Sequence, residues 1–415
     1  MSSASALLEP RTAVPAEDAL ERYRLDARAW LAEHAPRFSG AVRRGLPLER
    51  DVALGRAWQA LKAAHGYGAI TLPKRYGGGG GTELQKIVFT EEELRYDLPV
   101  AYFSISLSNP VPIFLRHAPE TFRQRLGPPA IRGEHIWCQL FSEPAAGSDL
   151  AALRLRAERQ GDGWVLNGQK LWTSWAQIAQ WGVIVTRTDP DVPKHAGLTY
   201  FFLDMRSPGI SVRPIRRLVG HPDLNEVYFD NVYVPDEQRL GEVGGGFRVA
   251  IETLMIERYG ITDETASSPA LEALVELARR ARLNGRPALA DGEVRAAIAR
   301  AYVERQGLRS IQKRAMEAIA AGREPGPEGA IRKLLLGRMR QQLGALALDL
   351  MGADGIRLDP QGESSRDFAH AWLDPSVRIA GGTDEVLLNT LAERVLGLPQ
   401  DHRPDKGVPF RQLES

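Results

Sequence analysis

The hydrophobic period of this chain changes twice, and that double change limits what it can fold into. From Glu17 to about Phe122 apolar residues recur at helical spacing, in stretches at Glu17–Ala35, Leu48–His65 and Thr82–Tyr96. Between about Ile136 and Leu240 the period shortens. Leu153–Arg159 alternates apolar and charged residues as a half-buried strand does, and Gly161-Asp162-Gly163 reads as a turn into Trp164–Trp172. Further strands are expected at Trp181–Arg187, Leu198–Asp204, Ile210–Ile215 and Glu226–Val234. After Gly246 the helical period returns, with segments expected at Gly246–Thr262, Pro269–Leu283, Asp291–Ala321 and Pro327–Met351 and a last helix after Thr383.

The strand spacing predicts an antiparallel barrel-like unit rather than βαβ units, and the long amphipathic helices predict a bundle. The expected class is therefore α+β. Residues 1–16 form a flexible N-terminus, 17–130 an N-terminal all-α domain, 131–240 a middle antiparallel β-barrel-like domain, 241–399 a C-terminal four-helix-bundle-like domain and 400–415 a tail. Both ends are expected to fray.

Composition narrows the function. Against 53 Lys and Arg stand 52 Asp and Glu, so no global field draws in nucleic acid or an anionic membrane. The single cysteine, Cys138, excludes an internal disulfide and argues against a metal site, so no metal is expected; its apolar run Ile136–Phe141 marks it as a small buried residue. No run of eighteen apolar residues exists and Met1–Pro15 lacks an export pattern, so a cytoplasmic protein is expected. Gly77–Gly81 lacks the Lys-Ser or Lys-Thr of a phosphate loop and reads as a flexible loop.

Four segments carry chemistry. In Phe141-Ser142-Glu143-Pro144-Ala145-Ala146-Gly147-Ser148-Asp149 a Gly/Ala-rich bend would let backbone N–H groups approach a phosphate or a flavin edge, an ordinary strand-to-loop turn being the alternative. Asn167-Gly168-Gln169-Lys170-Leu171-Trp172-Thr173-Ser174 offers an aromatic plane beside two hydroxyls, though a strand Trp is also a common core residue. In the helical stretch after Gly246, residues Phe247, Ala250, Ile251, Leu254, Arg258 and Ile261 follow one face. Glu257 borders that face while Glu252 points well away, and a solvated Glu257-Arg258 pair is the plainer reading. Gly381-Gly382-Thr383-Asp384-Glu385 precedes the last helix, whose N-terminus can present free N–H groups to an anion or a ribose.

Together these segments resemble the acyl-CoA dehydrogenase family, from about Glu17 to Pro399, and Leu254-Met255-Ile256-Glu257-Arg258 is similar to the Leu-x-x-Glu-Arg of its isovaleryl- and long-chain-like branch, bacterial type. The resemblance implies an FAD cofactor contacted by Gln139, Phe141, Ser142, Ser148, Trp172, Thr173 and Ser174, with Ser174, or Thr173 beside it, facing flavin N5, and it implies that Thr383 and Glu385 touch the flavin nucleotide of a neighbouring subunit. It implies that Ser148 and Arg258 touch substrate and that Glu257 removes the α-proton while the β-hydrogen passes as hydride to N5, giving a trans-2-enoyl thioester. Implied partners are an acyl-CoA or other acyl thioester and an electron-transfer flavoprotein-like acceptor, in a homodimer, homotetramer or hetero-oligomer, with no nucleic acid and no membrane.

The chain departs from the family pattern in several places. Ala145 replaces a glycine and Trp175 a small or amide residue. Ala380 stands where Tyr is common, Glu385 replaces Gln, Leu387-Leu388 replaces Gln-Arg, and Asp349 replaces Gln. The alternative base position is Gly381, which cannot act. The family's Arg-x-x-Phe-Gly is absent from Leu283–Leu289, where Arg286 is the candidate substitute. Two other readings stay open: a flavin monooxygenase on the same fold, and a non-catalytic or heteromeric partner subunit.

Overall fold

A computed structural model describes residues 17–218, 223–260, 271–321, 323, 326–356, 363–374 and 376–413, with only the backbone of 17, 256–260, 319–320, 356, 363–367 and 377. It divides into two compact units. One holds the described residues up to 217, together with 223–260 and 401–413; the other holds 271–400.

The first unit begins with seven helices: α1 Glu17–His34, α2 Gly40–Arg43, α3 Leu48–Ala64, α4 Glu83–Glu93, α5 Ala101–Ser108, α6 Pro110–His117 and α7 Glu120–Ile131. α4 starts where Thr82 and Gln85 form a reciprocal cap: Thr82 Oγ1 accepts from the Gln85 N–H at 3.2 Å and Gln85 Oε1 from the Thr82 N–H at 2.9 Å. The glycine run before it is no loose loop. Its amides at Gly79, Gly80 and Gly81 donate to Ala69, Leu72 and Ile70, and a Cβ on Gly78 would lie 2.1 Å from the Leu72 carbonyl oxygen. Glycine is there for close backbone approach.

Seven strands follow: β1 Trp137–Leu140, β2 Arg156–Gln160, β3 Gly163–Ser174, β4 Trp181–Arg187, β5 Leu198–Asp204, β6 Ile210–Ile215 and β7 Leu224–Pro235. They lie in the order β1-β4-β2-β3-β7-β6, with β5 on the other edge of β4. The sheet is antiparallel as expected in most of its pairings, but β1 pairs β4 in parallel from Trp137↔Trp181 to Leu140↔Ile184, and Arg156↔Arg187 is parallel too. The β2–β3 excursion between β1 and β4 brings β4 back in the same direction. β2 also starts later than Leu153, since Leu150–Ala152 is a 3-10 turn. Every residue of β4 is buried, and Phe114, Ile131, Trp137, Val183 and Phe202 join helices to sheet in one core. Cys138 is fully buried in the sheet, and burial pushes its thiol up to about 12, consistent with an inert core residue.

Helix α8, Gly246–Gly260, closes the first unit's main run. Its buried line is Gly246, Val249, Ala250 and Thr253, rotated from the expected face, and Ile251 is exposed. Glu252 does not point away into water. It accepts from Arg116 and, at 2.7 Å, pairs with His117 at the end of α6. The 401–413 segment, expected to fray, instead packs on this unit, where the Phe410 and Arg411 amides donate to Val192 and Pro190 at 2.9 and 2.8 Å.

The second unit is helical: α9 Leu271–Arg280, α10 Gly292–Ala320, α11 Glu328–Met351, α12 Glu363–Leu373, α13 Ser376–Ile379 and α14 Asp384–Arg394. α9 stops at Arg280, short of Leu283, because a ribbon of β8 Arg282–Leu283 and β9 Arg286–Pro287 follows, turned by Asn284 and Gly285 at φ 51° and 77°. An Asn-Gly pair suits such a left-handed turn.

One buried ion pair holds the part of the sheet that matters for function. Lys170 of β3 is fully buried, and its Nζ lies 2.8 Å from Glu143 Oε1 and 3.0 Å from the Phe141 carbonyl oxygen. The Glu143 carboxylate also accepts from the N–H groups of Arg154 at 2.6 Å and Leu155 at 3.1 Å. Burial pulls the Lys170 ammonium below its usual range, and the charge of Glu143 opposes that.

Two expectations follow for stability. Lys170→Met strands a buried carboxylate and should cost about 3–5 kcal/mol, whereas Glu143→Gln with Lys170→Met should lose less than Lys170→Met alone; denaturant unfolding measures both. For Glu252, burial raises the carboxyl pKa, but hydrogen bonds from His117 and Arg116 outweigh this and bring it down to about 2 from the ordinary 4.5. Its contribution is therefore present above pH 4.5 and lost as pH falls through about 2. Glu252→Gln should lower the melting temperature at pH 7 and leave it unchanged near pH 2; equal losses at both would contradict the assignment.

Candidate active site

The loop after β1 is shaped by its own backbone. Glu143 and Ala146 exchange two N–H···O bonds of 3.0 Å around Pro144-Ala145, and Ala145 keeps a negative φ, so a side chain costs nothing there. A Cβ on Gly147 would meet nothing within 4 Å. Ser148 is exposed and Ser142 half-buried, and neither hydroxyl has a hydrogen-bond partner among the described residues. Phe141 is buried edge-on against Tyr200, with ring centroids 5.8 Å apart, so its main chain faces Lys170 while its ring belongs to the core. Gln139 accepts a hydrogen bond from Asn109 at 3.0 Å.

Beside this loop β3 bulges. The register passes from Lys170↔Val227 to Thr173↔Asn225, so one extra residue is looped out, and the Ser142 carbonyl accepts from the Leu171 N–H at 2.8 Å. The bulge puts Trp172 at φ 59° with 54% of its surface exposed. An indole at positive φ is strained by roughly 1–2 kcal/mol, and exposing it gains nothing in folding. Such a residue marks a surface made for contact.

Thr173 and Ser174 pair regularly with Asn225 and Leu224, so their side chains point to opposite faces. Thr173 goes inward. Its Oγ1 is buried without a partner among the described residues, as is Oδ1 of Asn225 opposite, while Asn225 Nδ2 donates to the Thr173 carbonyl at 2.9 Å. Ser174 lies on the other face, half-buried, its hydroxyl without a partner among the described residues. The two hydroxyls therefore do not share one role. Trp175, expected to reshape the pocket, turns at φ 57° to pack edge-on against Tyr102 of α5 at 4.7 Å.

Helix α8 is tied to the same region. Thr253 Oγ1 lies 3.2 Å from the hydroxyl of Tyr200, the residue that packs on Phe141. Helical register carries position 257 four residues beyond Thr253 and seven beyond Ala250, in line with the buried side. The side chains of Glu257 and Arg258 lie outside the described residues.

In the second unit Thr383 caps α14, its Oγ1 accepting from the Val386 N–H at 3.3 Å, and Glu385 is exposed. Asp384 is buried against Arg378 at 2.6 Å, and Lys333 holds the Gly382 carbonyl. Arg286 is exposed on the β8–β9 ribbon. No group of three or more His, Cys, Asp or Glu able to hold a metal occurs among the described residues.

Sequence reading missed Tyr200, Asn225 and the Glu143–Lys170 pair. A lysine inside an otherwise apolar and aromatic strand, with a glutamate in the preceding signature, was the available signal for the last.

Acyl-CoA dehydrogenase N-terminal, middle and C-terminal domain models match residues 17–134, 138–232 and 244–396. Acyl-CoA dehydrogenase IpdE1 of Mycobacterium tuberculosis is 36% identical over 390 residues, covering 92% of this chain and 98% of that one. Acyl-CoA dehydrogenase FadE34 of the same organism is 38% identical over 338 residues, 79% of this chain, which spans only 44% of that relative's length. Among solved structures, the Tcur3481-Tcur3483 steroid ACAD and the ChsE4-ChsE5 complex from Mycobacterium tuberculosis each give a TM-score of 0.78 at 25% identity, covering 94% of this chain and 100% of theirs. The chain belongs to the acyl-CoA dehydrogenase family.

Proposed function

We propose that this chain binds FAD and oxidises an acyl-CoA thioester across its α and β carbons, with Glu257 as the base. The observation that carries the reading is the strained, exposed Trp172 at the β3 bulge, near the hydroxyls of Ser142 and Ser174, which have no partner among the described residues. That is an apolar face with hydrogen-bonding groups at its rim, the surroundings a flavin ring needs. Trp172 would bear on the ring, Ser142 and Ser174 would hydrogen-bond its edge, and the open Gly147-Ser148 turn would leave room for the diphosphate and the acyl-CoA. Thr383 and Glu385 are proposed to meet the flavin nucleotide of a neighbouring subunit.

When bound, the flavin supplies the acceptor for the hydride that leaves the β carbon. The protein's own part is the proton. A carboxylate of Glu257 takes it from the α carbon, and closure of the site over substrate would raise the pKa of Glu257 toward the working pH. Arg258 is assigned to holding substrate. The tie from Thr253 through Tyr200 to Phe141 supports this reading, because it fixes the helix of the base against the strand that leads into the cofactor loop.

One of the solved relatives is a steroid ACAD, which puts a ring-bearing acyl group among the substrates proposed here. Both solved relatives carry two protein names, which favours a second chain in the assembly, and an electron-transfer flavoprotein-like partner is the proposed acceptor.

Mixing the flavin-loaded protein anaerobically with short, branched, long and ring-bearing acyl-CoAs tests the reaction. Bleaching of the flavin by a thioester alone is expected, whereas bleaching only after an external reductant would indicate a monooxygenase. Glu257→Gln should lower turnover by roughly 10²–10⁴ with flavin retained; near-normal turnover would remove Glu257 from the mechanism. Trp172→Ala should weaken flavin retention about tenfold or more, as loss of an aromatic contact of about 1.4 kcal/mol or more would, with the melting temperature of the flavin-free protein unchanged. Full flavin retention in that variant would place the ring elsewhere.

A further inference from the structure

The 401–413 segment does more than cover the sheet. Its Phe410 ring lies 3.6 Å from the guanidinium of Arg187, and its Asp405 carboxylate lies 2.6 Å from Lys194 Nζ. Both cations reach on to the loop that follows β1. Lys194 Nζ also lies 2.6 Å from Asp149, directly after Ser148. Arg187 is 4% exposed and donates to the carbonyls of Leu153 at 3.1 Å, Ala151 at 2.5 Å and Lys194 at 3.1 Å. Pro409 bridges Pro193, and Arg411 pairs with Asp191 at 3.0 Å, so the segment also lines the turn between β4 and β5 from Pro190 to Lys194.

These ties matter at the tip of the loop, between the Glu143–Ala146 turn and the Leu150–Ala152 turn. Gly147 and Ser148 make no backbone hydrogen bond among the described residues, and both are exposed. On its preceding side Ser148 is held by the Glu143–Ala146 turn, and on its following side by the anchoring of Asp149, Ala151 and Leu153 through Lys194 and Arg187. A ring over a guanidinium keeps water from its open face and strengthens the bonds the other side makes. A second carboxylate on Lys194 confines an ammonium that could otherwise swing on four carbons.

We propose that residues 401–413 form a strap that positions the Ser148–Leu153 loop, with Arg187 and Lys194 as positioning residues acting through it. The strap is thus part of the substrate-binding apparatus although it touches no reacting atom. This rests on the reading of Ser148 as a contact for the diphosphate and the acyl-CoA.

Hydrogen exchange decides whether the strap works without relying on turnover. The amides of Ala152 and Leu153, bonded to Asp149 and Leu150, report on the loop. In a chain ending at Gln400, and in Phe410→Ala, they should exchange about tenfold faster than in the full chain, while β6 and β7 exchange unchanged. Asp405→Asn should show the same trend and Asp405→Glu should restore the original rates. With a thioester that the full chain turns over, the shortened chain should show a KM raised about tenfold and a kcat within about threefold, since loop placement serves binding rather than chemistry. Unchanged exchange at Ala152 and Leu153 in the shortened chain would overturn the proposal, as would equal acceleration throughout the sheet. A full chain that bleaches with no thioester would overturn the functional reading instead, and exchange would still decide the strap.

Discussion

A lysine and a glutamate buried together hold the candidate site in shape. Opposite charges gain little net stability in a core, because desolvation consumes most of their attraction, yet removing either one leaves the other uncompensated. Here the pair joins three segments far apart in sequence. Glu143 comes from the loop after β1 and takes the amides that lead into β2, and Lys170 comes from β3 and also binds the Phe141 carbonyl. The loop and the bulge therefore cannot move independently, and Ser142 and Trp172 are presented together.

The bulge turns that rigidity into a surface. Trp172 and Trp175 both sit at positive φ, three residues apart. Trp175 goes to the helices and packs on Tyr102, while Trp172 remains exposed. Regular pairing resumes at Thr173, which sends Thr173 inward to Asn225 and leaves Ser174 on the opposite face. On the helical side, the Glu252 pairing with Arg116 and His117 fixes α8 to α6 five residues before Glu257. The proposed base, Glu257, would stand on this anchored helix, and the proposed ring contact, Trp172, on the strained strand.

Much of this was legible because burial dictates period. The fully buried β4, the alternating β6 and the long helices α10 and α11 carry patterns that permit one local structure each, and the expected and observed limits of β4, β5 and β6 coincide. Pairing is not written that way. Nothing in Ile136–Phe141 or Trp181–Arg187 says that they run parallel, since direction is decided by the path of β2 and β3 between them. The facing of Glu252 was misread because Arg116 and the His117 ring from another helix made a half-buried position tolerable for a carboxylate. The 401–413 segment has no period at all, and its order comes from tertiary partners such as Arg187 and Lys194. The four signature segments were legible only through resemblance to a family, and which hydroxyl of Thr173 and Ser174 faces out needed the register.

The central claim is that the β1–β3 cradle and helix α8 converge on one flavin and one thioester. A crystal structure of the flavin-loaded protein with an unreactive thioether analogue of acyl-CoA tests it most directly. The flavin ring is expected against the Trp172 indole, with the Ser142 and Ser174 hydroxyls at its edge and the Glu257 carboxylate within hydrogen-bonding reach of the α carbon's proton. A ring bound away from Trp172, or Glu257 directed into solvent with ligand in place, would contradict it.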